Sequence, residues 1–276
     1  MNGIDQDRAK LFRHPRFRDT LFLRASFTRH RYELHTHPTY VIGIVTRGVE
    51  RLRAGARTHL APEGSIILVN PEEPHDGEPG AEGGWAYRTL YPGVALLSQV
   101  SEEMGVSGAP GFAGAVIGDG EAARALLRAH QLAEAGDALD AEASLLLALR
   151  RLISRHAGRR HAATERCSAS LRRLARYRDF IEANLAAPID LATLAQLAGV
   201  TRFQVIRDFR QGTGLTPGAF IRLSRQTSAS RLIEQGVLLA EAAAAAGFAD
   251  QSHLSRVFRS IQGVTPNMFK AACARA

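Results

Sequence analysis

The chain has 276 residues, of which 45% are hydrophobic and 22% charged, a composition typical of globular proteins rather than disordered ones. Its formal net charge is +8, and its two cysteines, Cys167 and Cys273, argue against a disulfide framework and a cysteine-based zinc site. The N-terminal stretch MNGIDQDRAKLFRHPRFRD lacks the apolar segment of a signal peptide, and the Ala-rich run around Glu241 is too short to span a bilayer. We therefore expect a cytoplasmic protein with no membrane partner.

Residues 20–92 carry the pattern of short β-strands. The stretch TYVIGIVTRGVERLRAGARTHLA contains β-branched runs interrupted at Arg47-Gly48 and Ala54-Gly55, which predict two hairpin turns. The run SIILVNPEEPHD is short, apolar and ended by prolines, and AYRTLYPG is a further candidate strand. Several short strands at this spacing predict a β-sandwich or a small barrel.

At Gly120 the pattern changes to helix. Residues 121–133 and 140–156 are rich in Ala and Leu at helical spacing, and Leu145, Leu149 and Leu152 form one apolar stripe. This stripe could cap the barrel, face a second subunit, or do both. Residues 157–170 have no apolar periodicity and are predicted to be a linker between domains.

The remaining segment is helical in pattern and carries nearly all of the excess charge. From Leu171 onward there are 14 basic and 7 acidic residues, a net charge of +7, whereas the first 170 residues have a net charge of +1. A basic second half behind a near-neutral first half indicates that the second half contacts a polyanion.

This basic half contains a repeat. FQVIRDFRQGTGLTP at 203–217 and SHLSRVFRSIQGVTP at 252–266 share one register, in which Arg207 corresponds to Arg256 and Phe209 to Phe258. Each copy follows a short helix and a turn containing glycine, which is the outline of a helix-turn-helix motif. We place the two motifs at about 190–211 and 238–260, with Asp190 and Thr201 as N-caps in the first.

The helical phase of each repeat separates a buried stripe from an outward face. Arginines on such a face can contact guanine bidentately or bind a phosphate, and short polar residues in the first turn suit phosphate or base-edge contacts. The residues predicted for this face are Thr201, Phe203, Arg207 and Arg210 in the first unit and Gln251, Ser252, Ser255, Arg256 and Arg259 in the second. Double-stranded DNA is the polyanion that two such units predict.

The motifs LATLAQLAGVTRFQVIRDFRQGTGLTPGAFIRLSRQTSASRLI and LAEAAAAAGFADQSHLSRVFRSIQGVTPNMFK resemble the DNA-binding domain of AraC/XylS-type bacterial transcription regulators. The resemblance implies a domain of seven helices that acts at promoters, more often as an activator than as a repressor. It adds Arg202, Ile206 and His253 to the DNA-contacting positions, with Ile206 standing where the family often has a polar residue. A homodimer is expected, and RNA polymerase is a further candidate partner.

The stretches ELHTHPTYVIGIVTRGVERLRAG and LAPEGSIILVNPEEPHDGEPG resemble the two half-motifs of the arabinose-binding-like cupin domain that precedes this module in many family members. That resemblance implies a pocket for an unknown small-molecule effector. The candidate effector-binding residues are His35, His37, Tyr40, His75, Trp85, Tyr87 and Arg88.

Three of these candidates also raise a metal hypothesis, because the imidazoles of His35, His37 and His75 are of the type that holds zinc or iron. Enzymatic cupins usually add a glutamate soon after the second histidine. Here that position falls in PTYVIG, and Glu50 comes only in the next strand. We therefore predict no metal, no cofactor and no catalytic residues.

The complete prediction is an α+β multidomain chain. Residues 1–119 form a cupin-like effector-sensing β-barrel, 120–156 a helical hairpin, 157–170 the linker, and 171–276 an all-α domain with two helix-turn-helix motifs. The predicted function is effector-controlled, sequence-specific transcription regulation, with activation expected. The alternative is a metal-dependent cupin enzyme fused to a DNA-binding domain.

Overall fold

The computed structural model of the chain describes residues 7–55, 57–136, 138–158 and 168–274. Contacts divide the chain into two compact units, one containing residues 1–32, 36–161 and 271–276 and the other containing residues 33–35 and 162–270. We call the sheet-rich part up to residue 158 the β-domain and the part from residue 168 the helical domain. Most of the predicted linker, residues 159–167, lies outside the described residues, as does Cys167.

The β-domain contains eleven described strands and three described helices. The strands are β1 (Arg8–His14), β2 (Phe17–Phe27), β3 (Tyr32–His35), β4 (Val41–Ala54), β5 (Arg57–Pro62), β6 (Ile66–Val69), β7 (His75–Pro79), β8 (Trp85–Tyr91), β9 (Gly111–Phe112), β10 (Val116–Ile117) and β11 (Ala157–Gly158). The helices are α1 (Val94–Glu103), α2 (Gly120–Ala135) and α3 (Ala138–His156). Strands β1, β9, β10 and β11 and helix α1 were not predicted from the sequence, and β11 lies within the predicted linker.

Strand β4 organises the sheet because it pairs with four other strands. Its first part pairs antiparallel with β6 and β8, and its second part pairs antiparallel with β5 and β7. The described strands follow the hydrogen-bonded order β1-β2-β8-β4-β6-β10 without returning to β1, so the predicted barrel is an open, bent sheet. The α+β layout of the fold is confirmed.

The bend in β4 occurs at Arg47-Gly48, where a hairpin turn was predicted. That prediction is wrong: the strand continues, and its register against β8 shifts between Val45 and Arg47 as in a β-bulge. Gly48 has φ of 74°, and a Cβ atom there would overlap the Gly84 carbonyl oxygen. The second predicted turn, at Ala54-Gly55, is confirmed by the pairing of Ala54 with Arg57.

One face of the sheet is covered by the helices. Side chains of β2, β4, β6 and β8 pack with α2 and α3 in one apolar core, which includes Leu145, Leu149 and Leu152. The predicted leucine stripe therefore caps the sheet. On the other side of α3, Leu139 and Leu147 are 71% and 66% exposed.

The helical domain contains seven described helices, the number that the family resemblance implies. They are α4 (Ser168–Ala183), α5 (Leu191–Ala198), α6 (Arg202–Thr213), α7 (Pro217–Glu234), α8 (Leu239–Ala245), α9 (Gln251–Gln262) and α10 (Pro266–Cys273). The predicted N-caps are confirmed, since the side chains of Asp190 and Thr201 accept hydrogen bonds from the amides of Thr193 and Gln204. None of the described helices is both long and apolar enough to cross a membrane.

A buried carboxylate ties α6 to α4. Asp208 is 0% exposed and accepts from Arg173 Nε at 2.7 Å and Nη2 at 2.9 Å, from Ser170 Oγ at 2.9 Å and from Gln204 Nε2 at 2.8 Å. Burial opposes ionisation of this carboxyl, but these donors outweigh burial and hold its pKa below the ordinary value. The bidentate pair therefore fixes the position of α6 in the domain.

We expect Gly48→Ala to destabilise the β-domain by about 2 kcal/mol or more, because it adds backbone overlap to the strain of a positive φ. Gly64→Ala is the matched control, since Gly64 has φ of 85° with open space around its Cβ position, and it should cost about 1 kcal/mol. Thermal and urea unfolding measure both. Equal losses would contradict the close approach of Gly48 and Gly84.

We expect Asp208→Asn to destabilise the helical domain by about 2 kcal/mol, because it leaves the Arg173 guanidinium without its carboxylate. Since the folded pKa of Asp208 is depressed, its contribution is present above the unfolded value near 3.9 and is lost as the pH falls through the folded pKa. Chemical unfolding between pH 3 and 7 measures both effects. The exposed Asp179→Asn serves as control, and an equal loss there would refute the network.

Candidate nucleic-acid interface and ligand site

Helix α6 is built with one apolar side and one exposed side. Val205 and Phe209, one turn apart, are buried in the core of the helical domain, and Phe209 stacks on Tyr177 with ring centroids 5.5 Å apart. The opposite side is exposed at Thr201, Arg202, Phe203, Arg207 and Arg210, whereas Ile206 is half-buried at its margin. The structure thus brings five of the six predicted contact residues of the first unit to one solvent-facing surface.

Helix α9 repeats this arrangement. Leu254 and Phe258 are buried, and Phe258 packs on Phe269 with ring centroids 5.3 Å apart. Exposed positions are Gln251, Ser252, Arg256 and Arg259, and half-buried positions are His253 and Ser255. The N-cap is Asp250, which the sequence had not identified and whose side chain accepts from the His253 amide at 2.6 Å.

Three arginines of these faces have no ion-pair partner in the part of the chain that the structure describes. Among the described residues, Arg207, Arg210 and Arg256 form no salt bridge. Phe203 is 80% exposed in the first turn of α6, so its ring gains nothing from the protein core. Exposed guanidinium groups and an unburied aromatic ring on adjacent turns are suited to phosphates, guanine edges and the thymine methyl group.

In the β-domain, three buried histidines converge. The candidate ligand nitrogens of His35, His37 and His75 all lie within 4.8 Å of one another. Nδ1 of His35 lies 2.6 Å from the Glu33 carbonyl oxygen and Nδ1 of His75 lies 2.9 Å from the Glu73 carbonyl oxygen, so each Nδ1 donates and each Nε2 carries the lone pair of the neutral ring. Burial lowers the pKa of His75 and keeps it neutral. These residues are chemically able to hold a metal ion, and the group contains no carboxylate.

Trp85 and Tyr87 lie on the same side of β8 as this group, stacked with ring centroids 6.0 Å apart. The structure places the other two predicted effector residues elsewhere. The hydroxyl of Tyr40 donates to the Pro110 carbonyl at 2.7 Å. Arg88 points to the opposite side of β8, because successive residues of a strand alternate.

Arg88 forms a half-buried network with helix α2. Its Nη1 donates to Glu134 Oε2 at 2.6 Å and to His130 Nδ1 at 2.9 Å. The other nitrogen of His130 donates to the Leu23 carbonyl at 3.2 Å. Burial, followed by the positive charge of Arg88, lowers the pKa of His130 to about 4. This histidine is therefore neutral and joins the sheet to α2.

Glu50 was not predicted to be a site residue, because it comes only in the strand after the histidine motif. In the structure it is 7% exposed and alternates inward with Leu52 and Ala54, while Arg51 and Arg53 point outward. Burial raises the pKa of Glu50 to about 8, against the smaller lowering effect of the Trp85 indole N–H. The signal available in the sequence was the alternation ERLRA, in which an acidic residue occupies an inward position.

Family comparisons agree with this two-part organisation. Residues 19–149 match the AraC-like ligand binding domain, and residues 194–272 match a helix-turn-helix domain. The chain is 28% identical over 223 residues to the uncharacterized HTH-type transcriptional regulator YbfI of Bacillus subtilis, covering 80% of each protein. The multiple antibiotic resistance protein MarA of Escherichia coli is 30% identical over 93 residues, which cover 33% of this chain and 73% of MarA.

Solved structures show the same fold over the full length. An apo form of a ToxT variant from Vibrio cholerae has a TM-score of 0.54 at 12% identity and covers 99% of this chain and 98% of its own. Wild-type ToxT with a bound unsaturated fatty acid also has a TM-score of 0.54, at 11% identity, and covers 100% of this chain and 99% of its own.

The two repeated helix faces, the sheet-rich domain that precedes them and these relatives lead to one conclusion. The chain belongs to the AraC family of transcriptional regulators, with an AraC-like ligand-binding domain followed by a helix-turn-helix DNA-binding domain.

Proposed function

We propose that this protein activates transcription as a homodimer whose promoter binding is controlled by a small molecule held in the β-domain. The observation that carries the proposal is the pair of arginine-bearing faces on α6 and α9, each backed by its own buried stripe. Activation is supported by the transcriptional activator NphR of Rhodococcus sp., which is 34% identical over 104 residues, 37% of this chain and 31% of its own length. RNA polymerase is the partner that an activator requires at a promoter.

The two helix-turn-helix units are proposed to bind adjacent major-groove segments. They are joined by α7, whose 18 residues span about 27 Å at 1.5 Å per residue. Successive major-groove faces on one side of B-DNA lie about 34 Å apart, a comparable spacing. The framework residues of the two faces repeat while Phe203, Gln204 and Ile206 are replaced by Ser252, His253 and Ser255, so the two units are expected to read different base sequences.

Dimerisation is proposed to act through the β-domain and its helices. Leu139 and Leu147 are exposed on α3, and two leucines two turns apart on one helix favour a partner helix. Two chains on one promoter would gain affinity through effective concentration. The proposed organisation is an effector-sensing domain at 1–119, a helical hairpin at 120–156, a linker at 157–170 and a DNA-binding domain at 171–276.

Arg256→Ala is predicted to weaken binding by about 1–3 kcal/mol at one half of the operator and to relax base preference there. Footprinting and binding titrations on a promoter fragment measure this. Arg231→Ala is the control, because it removes the same charge from an exposed position of α7. Binding of the unsubstituted chain should fall steeply with salt because several phosphates are neutralised. Equal loss at both half-sites, or none, would contradict separate reading by α6 and α9.

The alternative of a metal-dependent cupin enzyme is favoured by one observation, the convergence of His35, His37 and His75. We propose that the protein is not an enzyme and uses no cofactor, because the acidic residue that enzymatic cupins usually carry soon after the second histidine is absent from PTYVIG. The histidines then serve as hydrogen-bonding groups beside the effector.

Dialysis of the purified chain against a chelator is predicted to leave DNA affinity and effector response unchanged. Elemental analysis before and after dialysis, followed by binding titrations, makes the comparison. Stoichiometric zinc or iron whose removal abolishes the effector response would favour the metal-dependent alternative.

A further inference from the structure

The interior of the β-domain contains one buried acidic side chain, Glu50, and no buried lysine or arginine among the described residues. Asp76 on β7 also raises the pKa of Glu50, and the charge of Glu50 in turn raises the pKa values of Tyr32 on β3 and of Tyr87 and Tyr91 on β8. None of these four side chains becomes positively charged on titration.

A glycine on the neighbouring strand leaves space for the Glu50 carboxyl. Gly77 lies on the neighbouring strand β7, and a Cβ atom at that position would come within 2.5 Å of Glu50 Oε1. Nε1 of Trp85 is buried without a hydrogen-bond partner of good geometry among the described residues. It nevertheless lies close enough to favour the ionised form of Glu50. A buried donor without a hydrogen-bond partner is thus held near a buried carboxyl, a costly arrangement that a ligand can relieve.

Four aromatic side chains, Tyr32, Trp85, Tyr87 and Tyr91, lie near enough to this carboxyl to interact with it. Trp85 lies 6.0 Å from Tyr87 and 5.6 Å from Phe27, measured between ring centroids. The hydroxyls of Tyr32 and Tyr87 are hydrogen-bonded to each other. Tyr91, whose ring lies 5.3 Å from that of His37, connects the Glu50 site to the histidine group. Aromatic faces around one carboxylate attract a cationic nitrogen through both the ring quadrupoles and the charge.

Building on the proposed effector control, we propose that the effector of this protein is an organic cation, an amine or ammonium compound, whose charged nitrogen binds the Glu50 carboxylate among the rings of Tyr32, Trp85, Tyr87 and Tyr91. Glu50 releases its proton to solvent as the ammonium enters, so a neutral buried carboxyl is replaced by a buried ion pair. A carboxylate effector would find no lysine or arginine in the buried class among the described residues and would oppose ionisation of Glu50, so the site discriminates against anionic ligands.

The proton linkage makes the proposal measurable. Because the pKa of Glu50 is about 8, the carboxyl is largely protonated at pH 7, and binding an ammonium compound should release close to one proton. Affinity should rise about tenfold between pH 6 and 7 and level off above pH 8. Calorimetry in phosphate and in Tris, buffers with different ionisation enthalpies, counts the released proton.

The test uses the full-length chain with three matched sets of probes: choline, benzylamine and agmatine; phenylacetate and pentanoate; and benzyl alcohol. We expect the ammonium probes alone to raise the melting temperature and to bind in calorimetry. Glu50→Gln should weaken their binding at least tenfold, whereas the exposed Glu82→Gln should leave it unchanged. Because Gln resembles the protonated carboxyl, the variant is expected to fold, and proton release by the unsubstituted chain is an independent readout.

Binding of the ammonium probes without proton release, binding that survives Glu50→Gln, or no binding by any ammonium probe would overturn the cation proposal. A response to the carboxylates or the alcohol in place of the amines would also overturn it, while effector control would stand. Binding of an amine that leaves DNA affinity and transcription unchanged would count against the proposed effector control instead.

Discussion

The β-domain depends on the close approach of two glycine backbones, Gly48 and Gly84. Both have positive φ, and neither position has space for a Cβ atom. Their contact lets β4 shift register and leave one set of partner strands for another. Residues 41–44 pair with β6 beside the helices, while residues 50–54 turn Glu50, Leu52 and Ala54 inward. If β4 ended at Gly48, Glu50 would not occupy an inward position of this strand.

The helical domain must hold two helices in place, α6 in the first helix-turn-helix motif and α9 in the second. Each unit must hold one helix firmly enough that its outer face is defined, with little protein behind it. In the first unit this is done by the stacking of Tyr177 and Phe209 and by the Asp208 network. In the second it is done by Leu254, Val257, Phe258 and Ile261, without a buried carboxylate on α9. The arginines of α6 and α9 are exposed, because the buried positions of these helices hold apolar side chains and Asp208.

Helix periodicity, caps and the 49-residue repeat in the sequence predicted the helical domain well, since these are local signals. The β-domain was predicted less completely. A Gly beside an Arg suits a hairpin turn or a bulge equally, and only the distant partner Gly84 decides between them. Strand β1 is half-exposed, and its alternation covers only the four residues RAKL, too few to predict a strand without its pairing to β2. Arg88 and Tyr40 carry the right chemistry for a pocket, but strand alternation and a single hydrogen bond direct them elsewhere.

We have proposed that two faces of one chain read DNA and that the β-domain controls this reading. Footprinting the full-length chain on promoter DNA, with and without an ammonium effector, tests both at once. We predict two protected segments per chain about one helical turn apart, whose occupancy changes when the effector is added. A single protected segment, or protection indifferent to every effector that the protein binds, would contradict this prediction.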